Sequence, residues 1–246
     1  MIDLHFHPLP GIDDGPRDWE SAVALCRAAA ADGVREIVAT PHVLRDPWWN
    51  EDPAARRALV EELNARLGGS PRVHEGCEMW FTDELVDLAE QRSNGSALTT
   101  LGRSRYVLVE FHPLMVPRGV ASAFHELKVL GLVPLIAHPE RNAVFAREPE
   151  TLVSLVSAGA VVQVTAGSLV GDFGRAAREA ADDFVEAGLA HVVASDSHDV
   201  KKRPCRMSAA RERVRKLWGA EVEGGLFEAN PAAVLADEAL PFNSLP

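Results

Sequence analysis

The chain has 246 residues, enough for one sizeable core and too few for two full-sized domains with a linker. Its 47% hydrophobic and 25% charged residues give a globular profile and exclude a disordered or low-complexity chain. The net charge of -11, from 36 acidic and 25 basic residues with no basic block, speaks against nucleic-acid binding, and no apolar run approaches the ~20 residues needed to span a bilayer. Residues 1–10, MIDLHFHPLP, lack the basic and apolar regions of a secretory signal. Three scattered cysteines, Cys26, Cys77 and Cys205, do not make a disulfide framework and suit a reducing compartment. The expectation is one cytoplasmic domain over residues 1–246, without membrane insertion.

In chain order, a strand is expected at residues 2–5, then a helix at 19–31 that starts after Asp18 as N-cap and stops at Gly33. A second strand at 36–40 leads through an irregular loop, 45–53, into a helix at 54–67 that ends at Gly68-Gly69. Strand 73–76 precedes helix 83–91, strand 106–111 precedes helix 120–130, and strand 133–137 precedes helix 151–157. Strand 161–164 precedes helix 175–187, and strand 191–195 precedes helix 208–217; a last helical turn is expected at 232–236, capped by Asn230-Pro231. The strands are apolar with little alternation, as in parallel strands buried on both faces. This repeat gives either a doubly wound sheet or a closed barrel, and no Gly-rich dinucleotide fingerprint follows the first strand.

Polar residues cluster at the C-terminal ends of these strands. His5 and His7 lie at strand one with Asp14 in the loop beyond, His42 follows strand two, and Glu78 follows strand three. Glu110 ends strand four, His138 follows strand five, and Asp196 and His198 follow strand seven. In α/β barrels those ends converge on one mouth, where chemistry sits. Five imidazoles and four carboxylates suit divalent ions such as Zn, Mn or Fe. His-x-His on an extended segment puts both side chains on one face. Nine ligands exceed what one ion uses, so a bi- or trinuclear centre is expected, of a kind that acidifies water and clamps a displacement at phosphorus. Singly, each of these residues is unremarkable; their joint placement at strand ends is what helix caps and core histidines do not predict.

The fragments HFHPLPGIDDG, ATPH, GCEMW, LVEF, AHPERN and ASDSHDVKKRP, in this order, resemble the PHP metal-dependent phosphoesterases, and within them the CpsB/CapC branch of bacterial tyrosine-protein phosphatases of capsule and exopolysaccharide synthesis. The resemblance spans essentially the whole chain. It implies a distorted (β/α)7 TIM-like barrel, the PHP fold, holding three divalent ions, manganese first and iron or zinc next. It places His5, His7, Glu78 and Asp196 on one ion, Glu78, Glu110 and His138 on a second, and Asp14, His42 and His198 on a third. It also implies a metal-bridging hydroxide attacking phosphotyrosine in line, with Arg141 and Arg203 as the substrate-side arginines, and a phosphotyrosine protein as substrate, with a tyrosine kinase of polysaccharide synthesis as partner. Arginine suits that role because its planar fork binds phosphate oxygens bidentately.

Departures from the pattern are Phe6, Val43 and the extra His112; none removes a ligand. Trp48 and Trp49 are candidates to stack on a phenol ring, or to pack the loop against the fold, and Asp199 or His112 could protonate a leaving group. Cys205 and Arg211 have the Cys-x5-Arg spacing of cysteine-dependent phosphatases, but the intervening RMSAA has no glycine and reads as a helix start. Competing readings are a histidinol-phosphate-like small-molecule phosphatase, an amidohydrolase, which does not call for Glu78 and Glu110, and a non-catalytic metal-binding regulator, which would not need all nine ligands.

Overall fold

A computed structural model describes residues 1–242. The chain runs β1 (Ile2–Phe6), α1 (Trp19–Ala31), β2 (Glu36–Ala39), β3 (His42–Val43), α2 (Pro53–Leu67), β4 (Arg72–Glu75), β5 (Glu78–Trp80) and α3 (Leu85–Glu90). It continues with β6 (Tyr106–Glu110), α4 (Val120–Val129), β7 (Val133–Ala137), α5 (Ala143–Arg147), α6 (Pro149–Ser157), β8 (Val161–Thr165), α7 (Ala166–Val170) and α8 (Arg175–Glu186). It ends with β9 (Val192–Ala194), α9 (Met207–Gly224), a π-turn at Gly225–Ala229 and α10 (Asn230–Leu235). Side-chain caps fix the starts of α1, α2 and α5. The Asp18 side chain accepts from Ser21 N at 2.8 Å in a capping box, and Asp52 accepts from Ala54 N ahead of Pro53. The helical path of α9 breaks at Gly219, which has φ 93°. Asn230, expected to cap α10, is instead a buried staple inside continuous helical backbone.

The fold is α/β with two parallel sheets, ordered β1-β2-β4 and β3-β5-β6-β7-β8-β9. The sequence led us to expect seven strands, whereas nine segments are present. Past the second expected strand the chain breaks at Thr40-Pro41, where proline has no N–H to donate, and resumes as β3; past the third it breaks at Gly76-Cys77, where a Cβ on Gly76 would come within 2.7 Å of Val38, and resumes as β5. Hydrogen bonds span the gaps: Thr40 N donates to Phe6 O at 2.8 Å and Glu78 N to Pro41 O at 3.0 Å. At the other edge of β1, Asp196 N donates to His5 O at 2.8 Å and His7 N to Ser197 O at 3.0 Å.

Both faces of the strands are buried. Val107, Val109, Ile136, Val162 and Val193 join the large cluster shared with the helices. Leu4, Val38, Leu108, Leu135 and Val192 join a second, smaller one. The β1–β2 register slips between Asp3 and Phe6. Leu4 packs in the small cluster and Phe6 in the large one, so the slip reverses the alternation and turns His5 and His7 to the same side as Leu4.

The start of β6 is closed over by the segment around α10. Val234, Leu235 and Leu240 cover the small cluster, Tyr106 Oη donates to Glu238 O at 2.7 Å, and Arg105 N donates to Asp237 Oδ1 at 2.7 Å. Asn230, fully buried, donates to His191 O and Phe242 O and accepts from Phe242 N. No helix among the described residues is long and apolar enough to cross a membrane. Replacing Asn230 with Ala strands the buried His191 carbonyl and two part-buried groups of Phe242, and is expected to cost about 2 kcal/mol of unfolding free energy. An unchanged urea midpoint would refute this role for the staple.

Candidate metal centre

The strand ends deliver the expected residues to one place. His5 and His7 come from the bulged end of β1, His42 begins β3, Glu78 begins β5, and Glu110 ends β6. His138 follows β7, Asp196 and His198 follow β9, and Asp14 reaches in from the loop after β1. All but Asp14 are buried. His138 and Asp196 hold left-handed φ values of 34° and 52°, a conformation that costs a non-glycine residue about 1 kcal/mol or more and concentrates at functional sites. Gly15 lets the Asp14 loop close, since a Cβ there would lie 2.5 Å from His7 O.

Their ligand atoms form four overlapping groups: His7, Asp14, His42 and His198; His5, His7 and Asp196; His5, Glu78 and His138; and His42, Glu78 and Glu110. Glu78 lies between two of them, with Oε1 2.9 Å from His138 Nε2 and Oε2 2.8 Å from His42 Nδ1. His5 Nε2 is 3.3 Å from both Glu78 Oε1 and Asp196 Oδ1. His198 Nε2 is 3.0 Å from Asp14 Oδ1.

The donor set fits divalent cations on two observations. His7 Nδ1 lies 2.8 Å from Asp13 Oδ2, and His5 Nδ1 lies 2.9 Å from Gln163 Oε1. Each acceptor takes the Nδ1 proton, so in the neutral rings both Nε2 atoms present lone pairs, yet they sit 3.1 Å apart. In addition, Glu78 Oε2, Glu110 Oε2, Asp196 Oδ1 and His198 Nε2 are buried without a hydrogen bond of good geometry. Lone pairs that converge in this way are stabilised by a cation between them.

The electrostatics agree. Burial alone would raise the Asp196 carboxyl, but Arg203 and Arg141 outweigh it and hold it well below the usual range. Burial disfavours a charged His7, yet Asp13 and its neighbours push it up to about 10, a field that equally favours a metal ion. Burial, with His7 beside it, brings His198 down to about 4.

Beside the centre lies a cavity of about 270 Å³ lined by Arg45, His138, Arg141, Phe173 and Arg203 among others. Arg141 Nη1 and Arg203 Nη2 both meet Asp196 Oδ2, at 2.7 and 2.6 Å. Trp48 stacks on His42 with centroids 5.3 Å apart, while Trp49 is exposed. His112 is exposed and edge-on to Trp80 at 6.1 Å. Asp199 Oδ1 accepts from Lys201 N and Lys202 N, so its carboxylate serves its own turn.

Residues 1–236 match the family described as capsular polysaccharide synthesis, CpsB/CapC. The chain belongs to the CpsB/CapC family. Tyrosine-protein phosphatase YwqE of Bacillus subtilis is 39% identical over 226 residues, which cover 90% of this chain and 87% of YwqE. Tyrosine-protein phosphatase CpsB of Streptococcus pneumoniae is 29% identical over 245 residues, 97% of this chain and 99% of CpsB. Among solved structures, a chain from the work on YwqE and CpsB, described as unique metal-dependent tyrosine phosphatases, superposes with a TM-score of 0.94 at 37% identity, covering 100% of this chain and 98% of that one. An organophosphorus hydrolase from Deinococcus radiodurans shares the fold alone, with a TM-score of 0.58 at 16% identity over 94% of this chain and 91% of that one.

In this CpsB/CapC chain, sequence reasoning missed Asp13, Gln163 and Arg45. Asp13 adjoins a predicted ligand and was open to notice, because a metal-binding His requires an acceptor on its other nitrogen. Gln163 sits in an otherwise apolar strand, and Arg45 in an irregular loop, so neither carried a signal. The Cys205–Arg211 spacing is incidental. Cys205 Sγ faces Asp32 at 3.4 Å and burial pushes its thiol up, while Arg211 pairs with Glu223 and Glu228. Two results are expected. Asp13→Ala weakens metal binding about 10- to 100-fold in a metal titration, and Cys205→Ser keeps wild-type turnover; tight binding in the first or a dead enzyme in the second contradicts these assignments.

Proposed function

We propose that this chain is a metal-dependent protein-tyrosine phosphatase acting on a phosphotyrosine protein, in the cytoplasm, within exopolysaccharide or capsule synthesis. A bacterial tyrosine kinase of that system is the natural source of its substrate. The observation that carries the reading is the convergence of nine histidine and carboxylate side chains beside two arginines, in a chain that matches tyrosine-protein phosphatases along most of its length. We read the chain as one distorted (β/α)7 barrel over residues 1–246. The hydrogen bonds that bridge the two strand breaks, and those joining β1 to residues 196–197, support closure.

We propose three divalent ions shared among the four overlapping groups, with manganese as first choice and iron or zinc next. His5, His7, Glu78 and Asp196 would hold one, Glu78, Glu110 and His138 a second, and Asp14, His42 and His198 a third. His7 also lies with the third set, which suits an ion pair sharing ligands. When bound, such ions supply the Lewis acidity that acidifies water and offsets charge on phosphoryl oxygens. The protein's own part is positional. Asp13 and Gln163 fix the rings of His7 and His5, and Arg141 and Arg203 present N–H donors to the phosphoryl oxygens, where charge builds up during transfer. Trp48 packs its loop against the centre, with His42 stacked on its ring and Arg45 over it. No covalent phosphoenzyme is needed.

Phosphate release from a phosphotyrosine peptide by the manganese-loaded protein is expected, with loss on chelation. His138→Ala and Asp196→Ala should each lower turnover about 100-fold or more, since a ligand lost from such a centre forfeits about 3 kcal/mol of transition-state stabilisation. Circular dichroism should show both variants folded. Wild-type turnover in both, or release that survives chelation, overturns the proposal.

A further inference from the structure

We infer that Arg45 is a specificity residue of the proposed phosphatase reaction, and that it binds the carboxylate of an acidic residue flanking the phosphotyrosine. The inference rests on the phosphatase reading above. Arg45 lines the same cavity as Arg141 and Arg203, but on a different anchor. Those two meet Asp196, whereas Arg45 Nη1 lies 3.4 Å from Glu110 Oε2 and within hydrogen-bond reach of His42. Its guanidinium is held between two indoles, 5.6 Å from the Trp48 centroid and 5.4 Å from that of Trp80.

The loop that carries it is pinned as well. Arg45 N donates to Trp48 O at 3.1 Å, Leu44 N donates to Trp49 O at 3.0 Å, and the Asn50 side chain donates to Ile12 O and His42 O. Only Nη1 is engaged, so Nε and Nη2 have no partner among the described residues. Those two atoms form the edge of the guanidinium that matches a carboxylate bidentately. The side chain is 27% exposed and thus reachable from the mouth. A pre-ordered fork loses little freedom on binding. In a chain of net charge -11, it also offsets the repulsion that an acidic peptide would otherwise meet.

The test compares three substrates on the manganese-loaded full chain: p-nitrophenyl phosphate, a phosphotyrosine peptide with glutamate on both sides, and the same peptide with glutamine. The wild type should prefer the glutamate peptide at least tenfold in kcat/KM, mainly through KM, and raising ionic strength should shrink the preference. Arg45→Met keeps an apolar stem between the indoles and removes the fork. It should lose at least tenfold more on the glutamate peptide than on p-nitrophenyl phosphate. Arg45→Glu should reverse the preference toward a lysine-flanked peptide. A wild type that does not distinguish the two peptides overturns the inference even if no variant folds. Equal losses on all three substrates also overturn it, since they would put Arg45 on the phosphoryl group instead. A wild type that hydrolyses none of the three sinks the phosphatase reading itself, and the inference falls with it.

Discussion

Two imidazole nitrogens, Nε2 of His5 and Nε2 of His7, face each other at 3.1 Å. Each ring spends its other nitrogen on an acceptor, Gln163 for one and Asp13 for the other. The surroundings thereby fix which nitrogen is bare, and two bare nitrogens at that distance need a cation. Much of the architecture serves this constraint. The slip in β1 aims both rings inward, β8 supplies the glutamine, and the close approach of Gly15 to His7 O folds the Asp13–Asp14 loop over the second ring. Left-handed backbone at His138 and Asp196 turns those two side chains in from the ends of β7 and β9.

Charge is balanced locally rather than over the whole molecule. Asp196 lies at the junction: one oxygen faces the histidines and the other takes both arginines. The carboxylate thus joins the histidine side to the arginine side through a single rigid group. Arg141 is further steadied over the Phe173 ring at 4.7 Å, so its donors are directed before any ligand arrives. A strongly acidic protein can in this way present a cationic cavity to an anionic substrate.

Much of this was legible in the sequence because strand–helix alternation converts chain order into spatial order. His5, Glu110 and Asp196 are far apart along the chain, yet each ends an apolar run, and parallel strands bring such ends to one side. What could not be read depends on neighbours. The break at Gly76-Cys77 reflects the nearness of Val38, which no local pattern encodes. The sharing of His7 between two ligand groups depends on the slip in β1, whereas period-two alternation shows only that His5 and His7 share a face. Gln163 looked like one polar interruption of a buried strand, and its meaning comes entirely from a ring across the interior. Asn230 carried a helix-cap signal, but the π-turn before it continued the helical backbone and freed its side chain to bind elsewhere.

The segment that closes the lower end has a bearing on how the molecule is made. Ligands are spread from residue 5 to residue 198, and the cover over the interior comes from residues 230–242. During synthesis the first histidines leave the ribosome long before the strand that must lie beside them, and the cover from residues 230–242 emerges later still. Nascent chains therefore pass through a long interval with sheet edges and buried carboxylates uncovered. Contacts of such high sequence separation are slow to form. A cation arriving early would meet only part of the cluster that spans His5 to His198.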